Sequence, residues 1–173
     1  MPRKKEPEDW EFEKFALQRN DDAIRFSETK AALLLTLTGL LLGVVADKVQ
    51  SFKEMLLASS LTIQILIVCS LALILAGIIL VVVSSLLAVF PRLSVVKNVS
   101  LLYFDLLARL SEQEATERFK DMDAKTKHEH LLSQVYATSR IAARKFKLIR
   151  SALWGTVLVL IGSLLALFAM FFG

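Results

Sequence analysis

The chain has 173 residues, of which 55% are hydrophobic and 22% are charged, and its formal net charge is +4 at pH 7. Its mean hydropathy of +0.56 is unusually high for a water-soluble domain of this length. The single cysteine excludes an internal disulfide. The composition therefore excludes a disulfide-stapled secreted domain and indicates a membrane protein.

The hydrophobic residues are concentrated in three uncharged blocks, residues 31–46, 61–90 and 151–173. A helix needs about 20 apolar residues, at 1.5 Å per residue, to cross roughly 30 Å of hydrocarbon. The first block is somewhat short and gains length from its flanking residues, whereas the second is long enough to tilt or to project from the bilayer. We therefore predict an all-α membrane protein with three transmembrane helices.

A cleaved signal peptide is the alternative interpretation of the first block. Val44 and Ala46 have the spacing of small residues before a cleavage site. The first thirty residues carry eight acidic side chains, however, whereas the n-region of a signal peptide is short and basic. We therefore expect this block to be a retained membrane helix.

Lys and Arg are distributed asymmetrically between the segments outside the three blocks. Seven lie in residues 1–30 and twelve in residues 91–150, against two in residues 47–60. Cytoplasmic loops of membrane proteins carry the excess of basic residues. We therefore predict that the N-terminus and residues 91–150 are cytoplasmic and that the C-terminus lies outside.

The predicted organisation has a cytosolic helical module built from two separate segments. The parts are, in chain order, a cytosolic N-terminal helix at 1–30, two transmembrane helices at 31–90 with a short outer loop at 47–60, a cytosolic helical segment at 91–150, and a third transmembrane helix at 151–173.

A broadly helical pattern starts at Asp9, and nothing breaks it before the membrane, so one long helix is expected to enter the first block. Trp10, Phe12 and Phe15 crowd the start of this helix. We expect them to pack against residues 91–150 or against a neighbouring subunit.

The 91–150 segment opens at Pro91, which ends the second membrane helix. Residues 94–103 mix three valines and a tyrosine with polar residues and leucines, and they predict no single element. Ser111 and Glu114 have the S-x-x-E form of a capping box, which predicts a helix running to about Asp123.

The chain from Lys125 to its end contains no proline, and its first glycine there is Gly155, so we predict a second long helix that continues into the membrane. At 100° per residue, one side of this helix is an apolar stripe. The stripe comprises Leu131, Val135, Thr138, Ala142, Phe146 and Ile149.

The opposite side of the same helix is a basic face made of Tyr136, Arg140, Arg144 and Lys147. Cytoplasmic Lys and Arg near a membrane helix commonly set topology and bind anionic lipid headgroups. Guanidinium groups also bind phosphate oxygens bidentately, and a tyrosine ring can stack a base. The basic face is therefore the candidate ligand-binding site, with lipid anchoring as the alternative. Nucleic acid is not expected, because the other cytosolic charges are mixed in sign.

Small residues at a spacing of four are candidate helix contacts. Gly39 and Gly43 form a G-x-x-x-G pattern in the first block, and Ser151 with Gly155 opens the third. Such pairs let helices approach closely, either within one chain or between copies in a homo-oligomer.

No catalytic motif is present, so we expect no enzyme. His128 and His130 lie about 200° apart on a helix and cannot bind one metal ion together, which indicates surface histidines and neither a metal nor a cofactor. The three blocks also lack ionisable residues, which argues against an ion-coupled carrier.

Four phrases in the chain occur in the order found in a known family. They are "SETKAALLLTLTG", "FPR", "LLYFDLLARLSEQE" and "SQVYATSRIAARKFKLIRSAL". Over residues 23–153 the chain resembles the Pycsar transmembrane effectors of bacterial anti-phage defence. The positions that match the family phrases are Lys30, Pro91, Arg92, Tyr103, Phe104, Tyr136, Lys145 and Arg150. Arg92 is also expected to anchor the second membrane helix, and Lys145 and Arg150, which flank the apolar stripe, to anchor their helix or to contact a neighbouring one. Ala32 and Asp105 depart from the family, which often has glycine at these points.

The resemblance implies a small bacterial inner-membrane protein that is silent until a partner cyclase, sensing phage, makes cyclic CMP or cyclic UMP. The activated effector is then expected to damage membrane integrity and stop the infected cell. Two alternatives stay open: an effector that answers a cyclic oligonucleotide, and a structural or assembly membrane protein without a ligand.

Overall fold

A computed structural model describes residues 10–90 and 109–172 of the chain. Within these ranges the structure is all-α and contains no strand. Four helices make it up: α1 Glu11–Ala58, α2 Leu61–Val89, α3 Glu112–Lys120 and α4 Ala124–Phe172. Three of them, α1, α2 and α4, are long and apolar enough to cross a membrane. The predicted fold class is therefore confirmed.

Helix α1 is 48 residues long and would extend about 72 Å if straight. Glu11 and Glu13 in its first turn complement the positive end of the helix dipole. The helix does not stop at Asp47, where we expected an outer loop with a short amphipathic piece, because residues 47–58 contain neither glycine nor proline. Only Ser59 and Ser60 separate α1 from α2.

Helix α2 ends at Val89, two residues before the proline that was expected to end it. Pro91 itself lies outside the described residues, as does the 94–103 segment for which no element was predicted.

The predicted capping box starts α3. The Ser111 hydroxyl accepts a hydrogen bond from the Glu114 backbone N–H at 3.3 Å, and the Glu114 carboxylate accepts one from the Ser111 N–H at 2.9 Å. The hydrogen bonds donated by the Ser111 backbone and then by its side chain lower the pKa of Glu114.

Helix α4 runs for 49 residues without interruption, as the absence of early glycine and proline predicted. Its first turn is capped by Asp123, whose carboxylate accepts a hydrogen bond from the Thr126 backbone N–H at 2.9 Å. Hydrogen bonding by Thr126, first through its side chain and then through its backbone, lowers the pKa of Asp123.

The helices form two compact units, and α1 and α4 contribute residues to both. The polar unit comprises Met1–Phe26 and Arg92–Arg144, and the apolar unit comprises Ser27–Pro91 and Lys145–Gly173. The boundaries predicted at residues 30 and 150 concern the membrane surfaces, and they stay predictions.

In the apolar unit, α2 and α4 run antiparallel and touch through glycines. A Cβ atom on Gly77 would lie 2.6 Å from the carbonyl oxygen of Gly155, and a Cβ on Gly155 would lie 2.8 Å from the oxygen of Gly77. A Cβ on Gly162 would likewise lie 2.8 Å from the oxygen of Ser70. The two backbones are thus in direct contact, because these positions carry no side chain.

Helix α1 packs onto this pair in two small clusters of the apolar unit. Ala31 is fully buried with Ala88 and Ile149. Farther along the helix, Leu41 and Val45 pack against a second cluster of buried aliphatic side chains. The outward sides of all three helices expose leucine, isoleucine, valine and phenylalanine, as expected of helices in lipid.

In the polar unit, a polar clamp joins α1 to α4. The amide nitrogen Nδ2 of Asn20 lies 3.1 Å from the carbonyl oxygen of Val135, 3.1 Å from the Thr138 hydroxyl and 2.8 Å from the Ser139 hydroxyl. Thr138 is buried here, as its position in the predicted apolar stripe requires. Among the other stripe members, Leu131 and Ala142 are buried, whereas Phe146 in the apolar unit is exposed.

Candidate functional site

The predicted basic face forms an exposed row along α4. Tyr136, Arg140, Arg144 and Lys147 lie on successive turns, and all four are exposed. The guanidinium carbon of Arg140 lies 5.8 Å from the centroid of the Tyr136 ring, within range of a cation–π contact. Lys147 belongs to the apolar unit and the other three to the polar unit. The face supplies positive charge, and its part in ligand binding stays a prediction.

The residues expected to anchor the helices occupy different surroundings. The Lys145 side chain is only 12% exposed and forms a short hydrogen-bonded ion pair with the Glu28 carboxylate of α1. Arg150 is exposed and Lys30 is half-buried. The remaining positions that match the family phrases lie outside the described residues; they are Pro91, Arg92, Tyr103 and Phe104.

The two pairs of small residues differ in what they contact. Gly155 contacts Gly77 of α2, and Ser151 is half-buried one turn earlier. A Cβ atom on Gly39 or on Gly43 would meet none of the described residues within 4 Å. The G-x-x-x-G pattern of α1 therefore faces away from the other described helices of its own chain.

A cavity of about 230 Å³ lies in the polar unit, where the start of α1, the end of α3 and the first turns of α4 meet. Its wall is almost entirely apolar surface, and the two lysines and the histidine among its lining residues contribute little polar surface to it. Its lining residues are Trp10, Lys14, Phe119, Met122, Lys127, His130 and Leu131. The side chains of Lys14 and Lys127 are exposed, so their ammonium groups can reach a ligand without leaving solvent.

Trp10, which lines one wall of the cavity, packs against a histidine, and that histidine in turn lies close to a glutamate. The Trp10 ring lies 5.8 Å from the His128 ring, tilted by 32°. The Nε2 atom of His128 is 3.8 Å from a carboxylate oxygen of Glu13, which is buried. The second oxygen, Oε2 of Glu13, and Nδ1 of His128 are buried and have no hydrogen-bond partner among the described residues.

This arrangement corrects the prediction that both histidines lie on the surface. Only 22% of the His128 side chain is exposed, because Trp10 folds onto the start of α4, and His130 lines the cavity. The prediction that the imidazole rings of His128 and His130 cannot bind one metal ion together rests on their spacing along the helix, and it stays a prediction. Within the described ranges, no group of three His, Cys, Asp or Glu side chains is arranged to hold a metal ion.

Trp10 thus packs against the 91–150 segment, one of the two partners expected for the N-terminal aromatics. Among the described residues, Phe12 and Phe15 leave 76% and 58% of their surfaces exposed.

Sequence reasoning missed Gly77, Gly162 and the cavity. The glycines had a signal, because small residues recur every seven positions along both contacting helices. They are Ser70, Gly77 and Ser84 on α2, and Gly155, Gly162 and Ala169 on α4. The cavity had none beyond the cluster of N-terminal aromatics, because its walls come from three separate elements.

Comparison with known proteins gives one family. The sequence model of the Pycsar effector protein domain matches residues 12–172, which is nearly the whole chain. No curated protein and no solved structure shows significant similarity to the chain. The chain therefore belongs to the Pycsar effector family and is a membrane effector of cyclic-nucleotide anti-phage defence.

Proposed function

We propose that the protein is activated by a cyclic pyrimidine mononucleotide, cyclic CMP or cyclic UMP, which a partner pyrimidine cyclase makes on infection. The activated protein then oligomerises or rearranges and impairs the bacterial inner membrane, so that the infected cell arrests or dies. The observation that carries this proposal is that α1 and α4 each supply residues to both the polar and the apolar unit.

The shared helices give ligand binding a route to the membrane spans. A ligand shifts a conformational equilibrium only by its difference in affinity for the two states. If the ligand contacts both α1 and α4 in only one of two arrangements of the helices, its binding favours that arrangement. The action needs no catalytic site, in keeping with a family of non-enzymatic effectors.

The proposed orientation has the N-terminus and the polar unit in the cytoplasm, where the nucleotide is made. The excess of Lys and Arg in residues 1–30 and 91–150 supports it. Alkaline phosphatase fused after Gly173 should then be active, and the same enzyme inserted after Lys120 should be inactive.

The proposed partners are the lipid bilayer and further copies of the chain. The exposed row of Arg140, Arg144 and Lys147 can hold phosphate oxygens, whether these belong to lipid headgroups or to the nucleotide. Gly39 and Gly43 leave one side of α1 open to close approach by another helix.

Membrane potential in living cells tests the proposal. Cells that express the protein together with an active pyrimidine cyclase should depolarise after infection, and cells with a catalytically dead cyclase should not. Depolarisation in cells that lack any cyclase would refute activation by the nucleotide. Activation by an oligonucleotide cyclase, but not by a pyrimidine cyclase, would favour the cyclic oligonucleotide alternative. No depolarisation under any condition would favour a structural protein.

A further inference from the structure

We propose that the cavity of the polar unit is the nucleotide-binding site. In this assignment the pyrimidine ring lies against Trp10 and Phe119, and Lys14 and Lys127 bind the cyclic phosphate. The assignment rests on the proposed function, since it takes the cyclic nucleotide as ligand.

The chemistry of the walls matches the two halves of a nucleotide. Trp10 and Phe119 offer aromatic faces, on which a base stacks with a gain of about 1–3 kcal/mol per base in nucleic-acid-binding proteins. Lys14 and Lys127 border this apolar cavity, and their side chains are exposed, so their ammonium groups can bind an anionic phosphate at its edge. An exposed row on a single helix, such as the basic face, has the charge but lacks walls that bury a base, which suits lipid headgroups better.

The size of the cavity favours a mononucleotide. Its volume of about 230 Å³ lies below the roughly 300–1,000 Å³ of pockets that hold drug-sized ligands. One pyrimidine ring fits this space, with its phosphate at the exposed lysines. A cyclic di- or trinucleotide carries two or three bases and cannot be enclosed in it.

The position of the cavity connects it to both long helices. Trp10 and Lys14 lie at the start of α1, and Lys127 lies in the second turn of α4. A ligand held between them joins the two helices that also supply the apolar unit. The contact between the half-buried Trp10 and His128 side chains keeps the aromatic wall on α4 before the ligand arrives.

The direct test uses the fluorescence of Trp10 in the full chain. The protein has two tryptophans, so Trp154→Phe leaves Trp10 as the only one. This variant, in nanodiscs of zwitterionic lipid, is titrated with cyclic CMP, cyclic UMP, cyclic di-AMP and inorganic phosphate. We expect saturable quenching by one of the cyclic pyrimidine mononucleotides and none by cyclic di-AMP. Competition by inorganic phosphate at the same concentration as the nucleotide would show that only charge is recognised and would overturn the assignment.

Charge-matched variants locate the phosphate. Lys14→Gln with Lys127→Gln should raise the dissociation constant measured by calorimetry about tenfold or more, because two charge-assisted contacts are lost. Lys120→Gln with Lys125→Gln removes the same charge from exposed positions outside the cavity lining, and should change it less than threefold. Thermal unfolding of each variant checks that the polar unit is intact.

The possible outcomes distinguish failure of the cavity assignment from failure of the proposed function. Nucleotide binding that survives the Lys14 and Lys127 changes, with no Trp10 quenching, would overturn the cavity assignment and leave the proposed function standing. Loss of binding on replacing Arg140, Arg144 and Lys147 by Gln, with no effect of the cavity lysines, would assign the nucleotide to the basic face instead. A parent protein that binds no cyclic nucleotide would refute the proposed function, and the cavity assignment with it.

Discussion

The contact between α2 and α4 in the apolar unit predicts a large cost for adding one methyl group. In Gly77→Ala the new Cβ would lie 2.6 Å from the Gly155 carbonyl oxygen, 2.8 Å from a methyl group of Val159 and 2.9 Å from the Val159 nitrogen. Two of these three atoms belong to backbone and cannot rotate away. The helices must therefore move apart along this contact.

The size of the effect follows from two opposing contributions. Overpacking a well-packed interior costs about 1–3 kcal/mol. Alanine gains up to about 1 kcal/mol over glycine from its higher helix propensity. With the full gain subtracted, Gly77→Ala should destabilise the apolar unit by up to about 2 kcal/mol. Gly43→Ala is the matched control, because a Cβ there meets nothing within 4 Å. It should be neutral or stabilising by up to about 1 kcal/mol.

The assay is equilibrium unfolding of the full chain in mixed micelles, with increasing dodecyl sulfate and helix content as the readout. The transition midpoint of Gly77→Ala should fall below that of the parent, and the midpoint of Gly43→Ala should not. A Gly77→Ala variant that is as stable as Gly43→Ala would refute the steric reasoning.

Three further predictions concern polar contacts. Asn20→Ala should lower the stability of the polar unit by about 1–2 kcal/mol, seen as faster amide hydrogen exchange there, because the clamp to α4 is lost; unchanged exchange would refute the clamp. Glu28→Gln should destabilise the fold more than Lys145→Gln or the double variant does, because it leaves the Lys145 ammonium without its partner on a side chain that is only 12% exposed, whereas the Glu28 side chain is 44% exposed; additive costs in a double-mutant cycle would argue against coupling. The lowered pKa of Glu114 means that its contribution to α3 is present above the ordinary glutamate pKa and is lost as pH falls through the lowered value, so the amide protection factors of helix α3, corrected for the intrinsic exchange rate at each pH, should fall in acid. Ser111→Ala should weaken this pH dependence, and an equal dependence would contradict the capping role.

Local rules and helix lengths predicted most of the secondary structure. The S-x-x-E pattern at Ser111 placed the start of α3, and the absence of proline predicted an unbroken α4. The end of α1 was missed because a charged, amphipathic stretch without glycine or proline is compatible with a surface loop and with a helix alike. The observed helix continues to Ala58, which leaves a two-residue connection.

Contacts between segments that are distant in the sequence could not be predicted from the sequence. Lys145 was expected either to anchor its helix or to contact a neighbouring helix, and it does contact one, but its partner Glu28, 117 positions away, could not be named from the sequence. The basic face was predicted from a helical wheel, which reports what one helix exposes and not what other helices enclose. The cavity requires Trp10 beside the start of α4, and no periodicity within one segment encodes that contact.

Under the proposed function, a cyclic pyrimidine mononucleotide makes this protein permeabilise a membrane. Dye release from liposomes that contain the purified full chain, across a panel of cyclic mononucleotides and cyclic oligonucleotides, measures this directly. We expect release that saturates with cyclic CMP or cyclic UMP and does not occur with the oligonucleotides. Release that is independent of nucleotide, or no release with any member of the panel, would contradict the proposed function.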